Sequence, residues 1–223
     1  ALARIAEACP ELTQRVAEEP GALPALASAV AAGRAVATHS RLSTAVNSAI
    51  LMRQIASTSP ELGQRLVEGP GVLPALVAAL ATDSPTAKIS SNLLFKVASV
   101  SPQLARRVAE EPGTLPALVV AVAAGGAMAS TSLFERRKEQ HGCLGLIALT
   151  SLELARRVAE EPGALPVIVA ALAAGCPAAT NAARVLDHIA SASPELAWQV
   201  AEERGALQAL VAALTAGCPA APD

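Results

Sequence analysis

Apolar and polar positions along this chain follow one pattern written five times. Apolar residues at helical spacing run to an acidic pair and a Pro-Gly turn. A nearly unbroken apolar stretch then follows and stops at Gly or Asp. The fourth copy shows it whole, as Glu160-Glu161-Pro162-Gly163-Ala164-Leu165-Pro166-Val167-Ile168-Val169-Ala170-Ala171-Leu172-Ala173-Ala174-Gly175. The others begin at Glu18, Glu68 (with Gly69 in place of the second Glu), Glu110 and Glu202. The turn position falls at Pro20, Pro70, Pro112, Pro162 and Arg204, giving intervals of 50, 42, 50 and 42 residues. A 42-residue unit with an 8-residue insertion in alternate copies accounts for all four. Eight residues are about two helical turns, so the insertion either lengthens a helix without changing its buried face or forms a longer loop.

Each unit reads as three helices. The first opens at Ser59-Pro60-Glu61-Leu62, Ser101-Pro102-Gln103-Leu104 or Ser193-Pro194-Glu195-Leu196, where Ser caps, Pro suits the first helical position and Glu complements the positive end of the helix dipole. The copy at Ser151-Leu152-Glu153-Leu154 lacks the Pro, and Cys9-Pro10-Glu11-Leu12 lacks the Ser. Pro-Gly closes this helix, because Pro blocks continuation and Gly accepts backbone angles other residues avoid. The second helix, Leu73-Pro74-Ala75-Leu76 and its counterparts, is apolar nearly all round and so is expected to be buried on several sides. The third is variable, with expected spans Arg41–Ser57, Pro85–Ser99, Leu133–Leu149 and Pro177–Ser191. The expected units are a partial one at 1–9, four complete ones at about 10–58, 59–100, 101–150 and 151–192, and a partial one at 193–223. They form one repeat domain over 1–223. Neither end carries the polar cap a free-standing stack needs, which suggests a segment of a longer array with its ends covered by neighbours.

A short helix, then Gly71-Val72-Leu73-Pro74-Ala75-Leu76-Val77-Ala78-Ala79-Leu80, then a third helix ending Leu186-Asp187-His188-Ile189-Ala190-Ser191, resembles the armadillo repeat. HEAT repeats are the nearest competitor. The likeness covers nearly the whole chain. It implies an all-α, right-handed α-solenoid whose third helices line a concave groove that holds extended peptides. Nuclear-import receptors of that family carry a Trp and an Asn four residues apart on each third helix. The matching positions here are Ile50/Gln54, Asn92/Lys96, Gly142/Leu146 and Arg184/His188. No Trp–Asn rung is present, which argues against recognition of nuclear-localisation signals.

Composition narrows the function classes. The 223 residues are 52% hydrophobic but only 1% aromatic, with Phe95, Phe134 and Trp198 the only rings. Ala, Leu and Val dominate, which suits close helix packing better than a sandwich of aromatic and β-branched strands. A net charge of −2 argues against a general nucleic-acid binder, which needs a large Lys/Arg excess, and base stacking needs more rings. The longest uncharged run, Gly113 to Phe134, approaches spanning length. Pro116 and Gly125-Gly126 interrupt it, and no membrane span is expected. Cys176 and Cys218 occupy equivalent places, where stacked helices put them roughly 8–10 Å apart, beyond the about 7 Å limit for a disulfide. Cys9, Cys143, Cys176 and Cys218 are therefore read as free thiols in a reducing compartment, the cytoplasm, with the cilium or cytoskeleton as the alternative.

Candidate chemistry is sparse. Thirteen of sixteen Glu residues recur at equivalent places around the first helix. A catalytic pair is needed once, whereas this repetition, with Arg15 or Arg157 at pairing distance along the helix, marks a structural role. His141-Gly142-Cys143 offers two metal ligands where zinc needs three or four. No phosphate-cradling Gly loop or nucleophile elbow occurs, so an enzyme, a cofactor and a metal site are not expected. The lysines are more informative. Lys88, Lys96 and Lys138 are the only three, and all lie on expected third helices. With Gln54, Asn92, Arg184 and His188 they form a stripe at four-residue steps that no acidic residue joins, although Asp187 adjoins it. The stripe reads as a weakly basic protein-binding groove for an extended, acidic segment, or as an ordinary solvated face. The charge cluster Glu135-Arg136-Arg137-Lys138-Glu139 reads as a solvated helix surface with internal pairing, with a docking site as the alternative.

The expected function is thus a non-enzymatic protein-interaction module, with other proteins as partners and no nucleic acid, membrane or small-molecule substrate. The alternatives are an architectural subunit of a large cytoskeletal or ciliary assembly, or the interaction arm of a larger enzyme such as a ubiquitin ligase.

Overall fold

A computed structural model describes residues 10–32, 39–81, 85–123, 142–175 and 178–215. The described residues are all-α, with no strand among them. The helices are α1 (Pro10–Glu18), α2 (Ala22–Ala32), α3 (His39–Thr58), α4 (Pro60–Glu68), α5 (Val72–Leu80), α6 (Pro85–Ala98) and α7 (Pro102–Glu110). After these come α8 (Thr114–Ala123), α9 (Gly142–Thr150), α10 (Leu152–Glu160), α11 (Ala164–Ala173), α12 (Ala178–Ala192), α13 (Pro194–Glu202) and α14 (Ala206–Thr215). No helix among the described residues is long and apolar enough to cross a membrane.

Helix starts are set by the serines. At α4, α7, α10 and α13 the capping residues Ser59, Ser101, Ser151 and Ser193 are extended, with φ between −161° and −154°. The backbone N–H groups of Leu62, Leu104, Leu154 and Leu196 each donate to the corresponding Ser Oγ at 3.2 Å, satisfying one orphan donor per helix. Ser151 does this although no Pro follows it. Ser151→Ala is expected to lower stability by about 1 kcal/mol, read as a shift of the urea midpoint.

Helix ends are set by a turn of type II. The N–H groups of Ala22, Val72, Thr114, Ala164 and Ala206 donate to the carbonyls of Glu19, Gly69, Glu111, Glu161 and Glu203 at 3.0–3.2 Å. The residue before each of these donors is a glycine with φ between 75° and 84°, the value such a turn requires at its third position. Arg204 replaces the proline in the last copy and the turn persists. Glycine is therefore the indispensable half of Pro-Gly.

The first insertion is helical in part: the third helix of that copy is five or six residues longer than its described counterparts of full length. α3 has 20 residues, against 14 in α6 and 15 in α12. The second insertion, the start of the expected helix Leu133–Leu149, and His141 lie outside the described residues, as do Cys9, Cys176 and Cys218.

The helices fall into two compact units, Ala1–Thr114 and Leu115–Asp223. In the first, α2 packs on α5, α3 on α6, and α4 on both α1 and α7. Like helices of successive copies thus lie against one another, and each copy closes on itself through contacts such as α2–α3 and α5–α6. In the second unit α9 packs on α12 and α11 on α14, with α10 against α9, α11 and α12. Second helices supply much of the interior. In α5 the buried residues are Val72, Leu73, Ala75, Leu76, Val77, Ala79 and Leu80, each large one contributing about 1.5–3 kcal/mol of transfer free energy.

Candidate functional site

The third helices inherit their orientation from this packing. On α6, Ser90, Leu93, Leu94 and Val97 are buried to 0% exposure, so that edge is fixed in the interior. Lys88, Asn92 and Lys96, stepping by four along a neighbouring edge, are half-buried. On α3, Ile50 and Gln54 are half-buried beside Leu51, Met52 and Ile55, which are at most 2% exposed. On α9 the matching positions Gly142 and Leu146 are half-buried, and on α12 so are Arg184 and His188. The four-residue register therefore marks a rim between core and solvent on each third helix, not a freely solvated face.

The structure brings these residues together in two groups. Gln54 lies on α3 and Lys88, Asn92 and Lys96 on α6, adjacent helices of the first unit. Arg184 and His188 lie on α12 in the second, against α9. A Cβ built on Gly145 of α9 would stand 3.5 Å from His188 Cδ2 and 3.7 Å from Val185 Cγ2. The imidazole thus rests on the small-residue surface of the preceding third helix. Lys138 and the cluster from Glu135 to Glu139 lie outside the described residues.

Electrostatically, the described third helices carry Arg41, Arg53, Lys88, Lys96 and Arg184 against one carboxylate, Asp187. That carboxylate is 74% exposed, with Oδ2 at 3.9 Å from Nδ1 of His188, whose side chain is 12% exposed. First helices and the turns that close them hold the other acidic groups among the described residues. Glu18 and Glu68 accept hydrogen bonds from Nε2 of Gln14 and Gln64 at 2.8 Å, pairs that the Glu–Arg spacing alone did not single out. Glu61 and Glu195 are held below the ordinary carboxyl value. Each accepts from its own backbone N–H and from the capping Ser59 or Ser193, and Arg156 adds to the effect at Glu195. These are helix-start devices.

The burial of two side chains escaped the sequence pattern, although Cys143 was expected as a free thiol. Gln54 Oε1 is buried without a hydrogen-bond partner, a costly arrangement for an amide and one located on the stripe itself. Cys143 is a free thiol, 3% exposed, and burial raises its pKa to about 12. It is a packing residue of α9, since the thiolate is the reactive form. Among the described residues no group of three or more His, Cys, Asp or Glu side chains is placed to hold a metal ion. No family model matches the chain, and no curated protein matches it.

Proposed function

We propose that this chain is a non-enzymatic protein-interaction module, a solenoid of armadillo-like three-helix repeats that receives an extended, acidic protein segment along its third helices. The observation that carries this reading is the half-buried polar and basic register, Lys88, Asn92 and Lys96 on α6 and Arg184 and His188 on α12, in which Asn92/Lys96 and Arg184/His188 hold matching positions of the second and fourth copies. Half-burial matters physically. A lysine stem held along apolar surface has already lost part of its rotamer freedom, so capturing a carboxylate there costs less ordering than at a fully exposed side chain. The packing of like helices within each unit supports the repeat architecture, because stacked copies present equivalent residues in rows. The near-absence of aromatic rings leaves few of the anchors that dominate hot spots, so the binding expected is modest and distributed.

A fluorescein-labelled poly-glutamate peptide titrated against the chain, with anisotropy as readout, tests the reading. Reversing both Lys88→Glu and Lys96→Glu is expected to weaken binding by about tenfold, or ~1.4 kcal/mol, and to flatten its salt dependence. Reversal of the exposed first-helix residue Arg65 is expected to leave binding unchanged. Equal losses in both variants, or none in either, would remove the groove.

A further inference from the structure

Third helices of adjacent copies differ in chemistry along one register. On α3 the register runs Val46, Ile50 and Gln54, and on α6 Lys88, Asn92 and Lys96, all half-buried. On α9 its described positions are Gly142 and Leu146, and on α12 Arg184 and His188, again half-buried. Among the described residues, each unit therefore sets an uncharged row beside a basic one. In both units the uncharged row belongs to the copy that carries the eight-residue insertion, so the contrast follows the alternation of 50- and 42-residue intervals. Arg53 of α3 falls one position off the register, where Phe95 stands on α6.

The two rows of a unit adjoin. α3 packs on α6 and α9 on α12, and the axes of packed helices lie roughly 8–10 Å apart. In the second unit, a Cβ on Gly145, the residue before Leu146, would stand 3.5 Å from Cδ2 of His188. The apolar side chain of α9 and the basic row of α12 thus border one another. In the first unit the apolar members of the row are Val46 and Ile50, on the helix packed against the one that carries Lys88 and Lys96.

A uniformly acidic segment suits only half of such a surface. A carboxylate laid over Ile50 or Leu146 would lose water with no cation to replace it, a costly transfer for a charge. An apolar side chain at the same place gains free energy by leaving water. Carboxylates are favoured over Lys88, Lys96 and Arg184, where the charges are complementary. An extended chain advances about 3.3 Å per residue, so it crosses from one row to the next in about two or three residues.

We propose that the partner is an amphipathic acidic segment, with an apolar side chain on the α3 or α9 row and a carboxylate on the adjoining α6 or α12 row, which rests on the groove reading and narrows its partner class.

Two fluorescein-labelled peptides of equal length and charge, repeats of Leu-Ser-Glu-Glu and of Gln-Ser-Glu-Glu, titrated against the full chain by anisotropy, test it. The leucine peptide is expected to bind about tenfold tighter. That ratio should survive at high salt while both affinities fall. A peptide of the same composition with its leucines gathered at one end should lose most of the gain. Ile50→Gln combined with Leu146→Gln should bring the ratio close to one, with unchanged helical circular dichroism verifying the fold. Equal affinities of the parent chain for the leucine and glutamine peptides overturn the proposal. So does a leucine preference that persists in the folded double variant. If Lys88→Glu with Lys96→Glu leaves polyglutamate binding intact, the groove itself falls. If that variant loses polyglutamate while the parent shows no preference for leucine, only the amphipathic requirement falls.

Discussion

Leu165→Ala is expected to destabilise the second unit by about 2–5 kcal/mol, whereas Leu207→Ala should stay within about 0.5 kcal/mol. The two leucines sit in the same local sequence, Gly163-Ala164-Leu165 and Gly205-Ala206-Leu207, at the second position of α11 and of α14. They share a turn with the same backbone hydrogen bond, Ala164 N–H to Glu161 O and Ala206 N–H to Glu203 O, both at 3.0 Å. Propensity, capping and unfolded-state effects therefore nearly cancel between them. The remaining difference is burial, 4% against 59% exposure. Truncating the enclosed side chain loses its transfer free energy and leaves a cavity that neighbours fill only in part. Truncating the other removes atoms that already touch water. Both residues belong to one compact unit, so urea unfolding followed by circular dichroism compares them on the same transition. Equal midpoint shifts would refute the burial argument.

Gly71→Ala should destabilise the first unit by about 1–2 kcal/mol, while Gly63→Ala should stabilise it by about 0.5–1 kcal/mol. The substitution is the same and the sign reverses, for a reason that space does not supply. Gly71 has nothing within 4 Å of an added Cβ, but its φ is 75°, where a Cβ strains the backbone. Gly63 is interior to α4, and its added Cβ would meet Val100 Cγ2 at 3.6 Å and Ala56 O at 3.7 Å, ordinary contact distances. The counterparts Ala105 and Ala155 already carry that methyl group at 0% exposure. Thermal melts of the two variants beside the parent decide the matter, and a shift in the same direction for both would refute the backbone argument.

How much of this was legible beforehand depends on the range of the interaction involved. Helix starts were legible because a Ser-capped terminus is decided within four residues, and the capping bonds of Ser59, Ser101, Ser151 and Ser193 follow from local geometry. Third-helix limits came close for the same reason: Pro85–Ser99 was expected and α6 is Pro85–Ala98, while Pro177–Ser191 was expected and α12 is Ala178–Ala192. The first insertion was ambiguous because eight residues match both two helical turns and a loop. Its continuation as part of the 20-residue α3 depends on contacts with α2 and α6 that no local window contains. The stripe through Gln54, Lys88, Asn92, Lys96, Arg184 and His188 was legible as a register, since helical periodicity alone generates it. Its half-burial was not, nor was the unpartnered Gln54 Oε1, because both depend on how closely neighbouring helices approach.

The sequence by itself determined the helices, their caps, their turns and the register that puts like residues at like places, because each arises from hydrogen bonds and backbone preferences spanning a few residues. Only the tertiary structure decided which of those like residues meet water. Leu165 is enclosed and Leu207 is not, though each follows the same Gly-Ala, because burial is a property of the neighbour and not of the residue that is buried.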